Sequence, residues 1–190
     1  MFFPSVGRLW ILFLLLPGTL SQDCQRLRLL EEINNEALLA LREMGKPFPL
    51  QCLSERASLS NNSLNLHQLS NRVQSQDRIQ IVHQTLRHLT KIYSMNLGSV
   101  TWARDKVETF RLLLDGQLGE LKECVRKPGS DSRPRRFSSI NKYFKKLRMF
   151  LEQKTFSDCA WEIVRVETRA RLQQIRTIMG KIRRDKHLHV

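Results

Sequence analysis

Apolar residues recur along this chain at intervals of three and four, and no stretch alternates apolar with polar over a strand's length, so the pattern predicts helices throughout. A first helix over about Cys24 to Met44 carries Leu27, Leu30, Ile33, Ala37, Leu41 and Met44 on one side. "GKPFP" ends it, since Gly45 suits a C-terminal cap and Pro47 and Pro49 cannot continue a helix. A long connection runs to about Ser75, and its polar, weakly periodic "NNSLNLHQLSN" offers at most a short helical turn. The second helix, about Gln76 to Met95, aligns Ile79, Val82, Leu86, Leu89 and Ile92; the third, about Thr101 to Arg126, aligns Val107, Phe110, Leu114, Leu118, Leu121 and Val125. "KPGSDSRPRR" has the composition of a loop. A fourth helix, about Ser138 to Gln153, uses Ile140, Phe144, Leu147 and Leu151. The fifth, about Cys159 to Arg184, uses Trp161, Val164, Leu172, Ile175, Met179 and Ile182, with Ser157 or Asp158 as N-cap.

Residues 1–21 stand apart. Arg8, the apolar run "LWILFLLLPG" and the small residues of "TLS" have the form of a secretory signal peptide. The run is too short to span a bilayer, and no later segment has about 20 consecutive apolar residues. The expected product is a secreted, extracellular domain over residues 22–190, with 190 − 21 = 169 residues. That length suits one domain burying roughly 70% of its unfolded surface.

Five amphipathic helices with mostly short links predict an all-α bundle in which neighbours run antiparallel. The first link, about 30 residues long by this division, is long enough to cross the bundle and start the second helix at the same end as the first. An export signal and four cysteines favour two disulfides over a zinc site, because no pair has C-x-x-C spacing. Helices about 30 Å long allow pairing only at one end of the bundle. A parallel crossover puts Cys24 with Cys124 and Cys52 with Cys159; a simple reversal puts Cys24 with Cys159 and Cys52 with Cys124. Link length favours the first arrangement and leaves the second open.

The formal net charge is +14, and residues 126–190 hold 18 Lys and Arg against 6 Asp and Glu, a net of +12. Such a segment is ordinarily a solvated surface, but it also suits an acidic receptor face, heparan-type glycans or anionic lipid; export argues against nucleic acid. His83 and His88 are five apart and so do not face one another as metal ligands at i and i+4 would. No Ser, His and Asp constellation or glycine-rich phosphate loop is present. Asn61 opens "NNS", an acceptor for N-linked glycan in a secreted chain.

"CAWE" at Cys159 to Glu162 resembles the hallmark of type I interferons, the alpha/beta family. "YFKKLRMFLEQKTFSDCAW" follows that family's pattern of two aromatics, a later aromatic followed by Leu, seven free residues, then Cys-Ala-Trp. Lys146 departs from the Gly, Asn, Arg or Cys usual there, as surface drift. "CLSER" after Cys52, Trp102 and the four cysteines are also similar, and "SDCAWEIVRVE" with "SQDC" looks most like the kappa branch. The resemblance implies a helical cytokine bundle with a parallel crossover and the Cys24–Cys124 and Cys52–Cys159 pairing. It implies a monomeric antiviral cytokine that bridges two receptor chains and brings their Janus kinases together, with no catalysis and no cofactor.

The fifth helix is expected to show two faces, with Trp161 and Val164 inward and Glu162, Arg165, Arg169, Gln173 and Arg176 along one exposed polar stripe. Leu53, Arg56, Arg165, Val166 and Arg169 fall at positions similar to those with which the family engages its high-affinity receptor chain. An exposed Leu with flanking Arg is suitable anchor chemistry. The second chain is expected to meet the second, third and fourth helices. The reading from another class is a cationic host-defence or glycan-binding secreted protein.

Overall fold

The computed structural model describes residues 26–57, 59, 63–122, 124–125 and 134–187, except for the side chains of 134–136 and 186–187. Among them are seven α-helices: α1 (Leu27–Glu43), α2 (Leu53–Ala57), α3 (Leu66–Ser70), α4 (Ser75–Tyr93), α5 (Arg104–Lys122), α6 (Pro134–Gln153) and α7 (Asp158–His187). The five predicted helices are α1, α4, α5, α6 and α7. The long link adds a 3-10 turn at Leu50–Cys52, α2 and α3. Asn65 caps α3 by accepting from the Gln68 amide, so "NLHQLS" forms a turn of helix despite its weak apolar period.

Other boundaries shift for local reasons. Pro134 opens α6 inside the stretch expected to be loop, because a proline at the first helical position loses no hydrogen bond and has its φ already set. Ser157 caps α7, its hydroxyl accepting from the Ala160 amide at 3.3 Å. Gly45 is not a left-handed cap, since no glycine among the described residues has positive φ. It is small because a Cβ there would lie 2.9 Å from the Trp102 ring.

End-to-end contacts give the topology. Arg26 pairs with Glu120 at 2.6 Å and Lys106 with Glu43 at 3.1 Å, so α1 and α5 are antiparallel. Gln76 donates to the Cys124 carbonyl at 3.0 Å and Arg111 to that of Tyr93 at 2.7 Å, which makes α4 antiparallel to α5 and parallel to α1. Arg183 meets Glu31 at 2.8 Å and Arg165 meets the Leu41 carbonyl at 3.3 Å, so α7 runs against α1. The link therefore crosses the length of the bundle, as its own length predicts.

The predicted stripes form the core, with Leu30, Leu86, Phe110, Phe144, Trp161 and Ile175 all fully buried. Ile33 is only half-buried; Asn34 takes the interior place and donates to the Leu172 carbonyl at 3.1 Å. Leu118 and Val125 are likewise half-buried. At one end Tyr93, Trp102, Phe110 and Trp161 cluster, with Tyr93–Phe110 centroids 4.7 Å and Trp102–Trp161 centroids 6.0 Å apart in edge-on packing. The Trp161 indole donates to the Asn96 carbonyl at 2.9 Å, so this large core side chain leaves no orphan donor.

Candidate functional site

The link is fixed to α7 at three levels. Uppermost, Cys52 is bridged to Cys159 with Cα atoms 5.2 Å apart, joining the 3-10 turn to the first turn of α7. Cys124 is also disulfide-bonded; Cys24 and the Asn61 acceptor lie outside the described residues.

Below the bridge lies a buried polar cluster. The Trp102 indole donates to Glu162 Oε1 at 2.6 Å, and Arg165 donates to Glu162 Oε2 through Nε at 3.0 Å and Nη2 at 2.6 Å. The same guanidinium donates to the carbonyls of Leu41 and Lys46 and stands over the Trp102 ring, 5.9 Å from its centroid. It therefore satisfies one carbonyl of the last turn of α1 and one of the link just beyond it. The bidentate fork and the flat stacking surface both suit arginine rather than lysine.

A second cluster sits two turns further along α7. Arg171, only 7% exposed, donates to the Leu64 carbonyl, stacks 5.2 Å from the Tyr143 centroid and lies 3.8 Å from Glu167. Tyr143 donates to Glu167 at 2.7 Å, and burial raises its phenol pKa above the usual range. One end of the link, α6 and α7 thus meet around one arginine.

This geometry corrects the single exposed stripe expected on the last helix. Glu162 is 4% exposed and Arg165 is largely enclosed, whereas Arg169, Gln173 and Arg176 do face solvent. Sequence reasoning also missed Arg171, although its place seven residues after Val164 and four before Ile175 puts it in phase with the buried face. Glu162 gave a weaker signal, an acid directly after a core tryptophan and three residues before an arginine. Trp102 as their shared partner, 60 residues from Glu162, is not visible in local spacing.

Above these clusters the outer surface is composite. Leu53 is 50% exposed, Arg56 is exposed with its guanidinium 5.8 Å from the Phe48 centroid, Val166 is half-buried and Arg169 is exposed. Between α2 and α7 lies an open groove of about 410 Å³, lined by Leu53, Arg56, Ala57 and Leu59 on one side and Glu167 and Arg171 on the other. Apolar and charged groups alternate across it, and nothing in it resembles a catalytic constellation.

Residues 27–182, from the start of α1 nearly to the end of α7, match the family model described as the interferon alpha/beta domain. The chain belongs to the interferon alpha/beta family. It is similar to human interferon alpha-21, 28% identical over 158 residues covering 80% of this chain and 82% of that one. It is likewise 28% identical to pig interferon alpha-1 over 160 residues, covering 80% and 82%. Zebrafish interferon 1 shares the fold, with a TM-score of 0.68 at 24% identity over 84% of this chain and 97% of its own. Zebrafish interferon 2 superposes with a TM-score of 0.66 at 26% identity over 77% and 96%. As an interferon the chain is a cytokine and not an enzyme. No helix among the described residues is long and apolar enough to cross a membrane.

Proposed function

We propose that this interferon is secreted after removal of residues 1–21 and bridges two chains of a cell-surface type I interferon receptor, triggering Janus kinase signalling and antiviral gene expression. The observation that carries the reading is the Cys52–Cys159 bridge, which holds Leu53 and Arg56 of the link beside the groove along α7. Leu53 is the apolar anchor, and Arg56 and Arg169 are the exposed cations that meet acidic groups of the high-affinity chain. Val166 lines the same side of α7. Arg165 belongs to the site as the group that holds its frame, since its donors are directed at Glu162 and two carbonyls rather than outward. The second receptor chain meets the exposed face of α4, α5 and α6. Cys24 with Cys124 is our assignment for the other bridge, Asn61 for N-linked glycan, and the kappa branch for the place within the family, on "SDCAWEIVRVE" and "SQDC".

The test is a reporter of interferon-responsive transcription in cells of the cognate species, with and without blockade of one receptor chain. The response saturates at low concentration and disappears on blockade. Reversing both exposed charges, Arg56→Glu with Arg169→Glu, lowers receptor affinity at least tenfold while helix content and the unfolding midpoint stay unchanged. An unchanged affinity removes the assigned face, and a response that survives blockade removes the receptor reading.

A further inference from the structure

Two open grooves share Ser63. One is the groove between α2 and α7. The other is a cleft of about 550 Å³ between α3 and α6, lined by Ser63, Asn65, Gln68 and Asn71 together with Leu69 and Val73, and by Ser139 from α6. Their chemistry differs. In a chain with 26% charged residues, no charged side chain among the described residues lines the α3–α6 cleft, whereas Arg56, Glu167 and Arg171 line the other groove.

The amides of the cleft are set to donate. Asn65 Oδ1 accepts from the Gln68 backbone amide at 3.1 Å and Asn71 Oδ1 from the Lys181 ammonium at 3.4 Å, which leaves each side-chain NH2 as a donor. The Gln68 side chain has no hydrogen-bond partner among the described residues, so it can both donate and accept. Ser63 and Ser139 add hydroxyls, and Leu69 and Val73 are half-buried apolar groups. Neutral amides and hydroxyls beside small apolar groups match an uncharged sugar. Its hydroxyl and acetamido groups exchange bonds to water for bonds of the same kind, and its C–H face covers Leu69 and Val73.

Such a sugar is close at hand in the sequence. Asn61, assigned above as the N-linked acceptor, is two peptide units before Ser63, at most roughly 7 Å of chain. We propose that the inner N-acetylglucosamine units of the Asn61 glycan seat in the α3–α6 cleft, and that this parks the glycan away from the groove between α2 and α7. The seat rests on Asn61 as acceptor, and its consequence for binding rests on the receptor reading above. Charge decides between the two grooves. A sugar laid over Arg56, Glu167 and Arg171 takes water from three charged groups and returns only neutral contacts, a cost the cleft does not impose. Covalent attachment two residues away also gives a high effective concentration, so individually weak contacts suffice.

The test uses the glycoprotein as secreted by animal cells. Mass spectrometry reads occupancy of Asn61. Nuclear Overhauser contacts from the acetamido methyl of the first sugar to the Leu69 and Val73 methyls read the seat, and release by peptide N-glycosidase from the folded protein reads its strength. Expected are contacts to both residues, and release at least fivefold faster from Gln68→Ala/Asn71→Ala than from the native protein, with Gln173→Ala on α7 within twofold of native. After denaturation all three release alike. A loosened α3 would also speed release, so Asn61→Gln is titrated with N,N′-diacetylchitobiose. Amide shifts at Leu69 and Val73 are expected there and not in Asn61→Gln/Gln68→Ala/Asn71→Ala of equal helix content. Missing contacts, or equal release from the double variant and the native protein, overturn the seat. An unmodified Asn61 overturns the acceptor assignment and the proposal with it. For the high-affinity receptor chain, Asn61→Gln binds within twofold of native, Gln68→Ala/Asn71→Ala binds at least threefold more weakly, and adding Asn61→Gln to that pair restores binding. A loss that survives removal of the glycan overturns the parking. No binding by the native protein removes the receptor reading and with it the consequence for binding, while the seat stands or falls on the sugar contacts.

Discussion

Where the link crosses α7, Arg165 is largely enclosed and Arg171 buried against carboxylates, carbonyls and aromatic rings; along α4 and α6, Arg87, Lys91 and Lys145 stand in solvent with no ion pair among the described residues. Both regions are strongly basic, yet the charge does opposite things. In the first it organises the interior, and losing one partner strands a buried charge. In the second it faces outward and is available to a ligand. Net charge does not distinguish these uses; the number of acceptors within reach does.

The comparison breaks most severely at the bridge. Replacing Cys52 and Cys159 by serine releases a link closed over 107 residues and is expected to cost about 4 to 5 kcal/mol in the chain-entropy description, read as a lower denaturant midpoint. The groove between α2 and α7 should lose its shape while α4 and α6 keep theirs, which amide exchange distinguishes.

Glu162→Ala comes next. It leaves the Arg165 guanidinium and the Trp102 indole without their shared acceptor, and the expected loss is about 3 kcal/mol or more. Glu162→Gln keeps an acceptor for one of the two donors and should cost clearly less in the same urea titration. Gly45→Ala follows, at about 1 to 3 kcal/mol, because the new methyl meets Trp102 at 2.9 Å and the Arg165 guanidinium carbon at 3.2 Å. Near-ultraviolet circular dichroism should report the displaced Trp102.

The smallest effect is a pH dependence that sharpens the contrast from the other side. His67, His83 and His88 all have pKa values lowered from the usual imidazole value, chiefly by burial and further by neighbouring cations. Around His88 those cations are Arg148 from α6 and Lys91 and Arg87 from α4. The unfolded chain, titrating near about 6.5, then binds more protons than the folded one as pH falls below neutrality. Stability therefore rises with pH through this window and is lost as pH drops toward the folded-state values. Tm should fall between pH 7.5 and 5, and His88→Gln should make the slope shallower.

Much of the frame was legible because it depends on period and length. Ile79, Val82, Leu86, Leu89 and Ile92 all lie on the buried face that their spacing marks. The length of the first link favoured, over a simple reversal, the parallel start that α1 and α4 have, and with it the Cys52–Cys159 pair. The polar interior was less legible. A helix with one buried stripe has one exposed stripe, but α7 packs against α1, α4, α6 and the link, so it buries more than half of its circumference. Glu162 and Arg165 fell on a phase that would be solvent in a peripheral helix and is interior in a central one. Their partner Trp102 comes from the α4–α5 loop, held in place where the Ala103 amide donates to the Met44 carbonyl at 2.8 Å. No local spacing encodes that meeting.

The central claim is that two arginines one turn apart on α7 serve different purposes, Arg165 inside the frame and Arg169 on its surface. Urea unfolding of Arg165→Glu and Arg169→Glu, measured side by side, tests this most directly. The account predicts that Arg165→Glu loses about 3 kcal/mol or more, with two carboxylates forced together beside Trp102, and that Arg169→Glu stays within about 0.5 kcal/mol of the native protein. Equal stability of the two variants would contradict it.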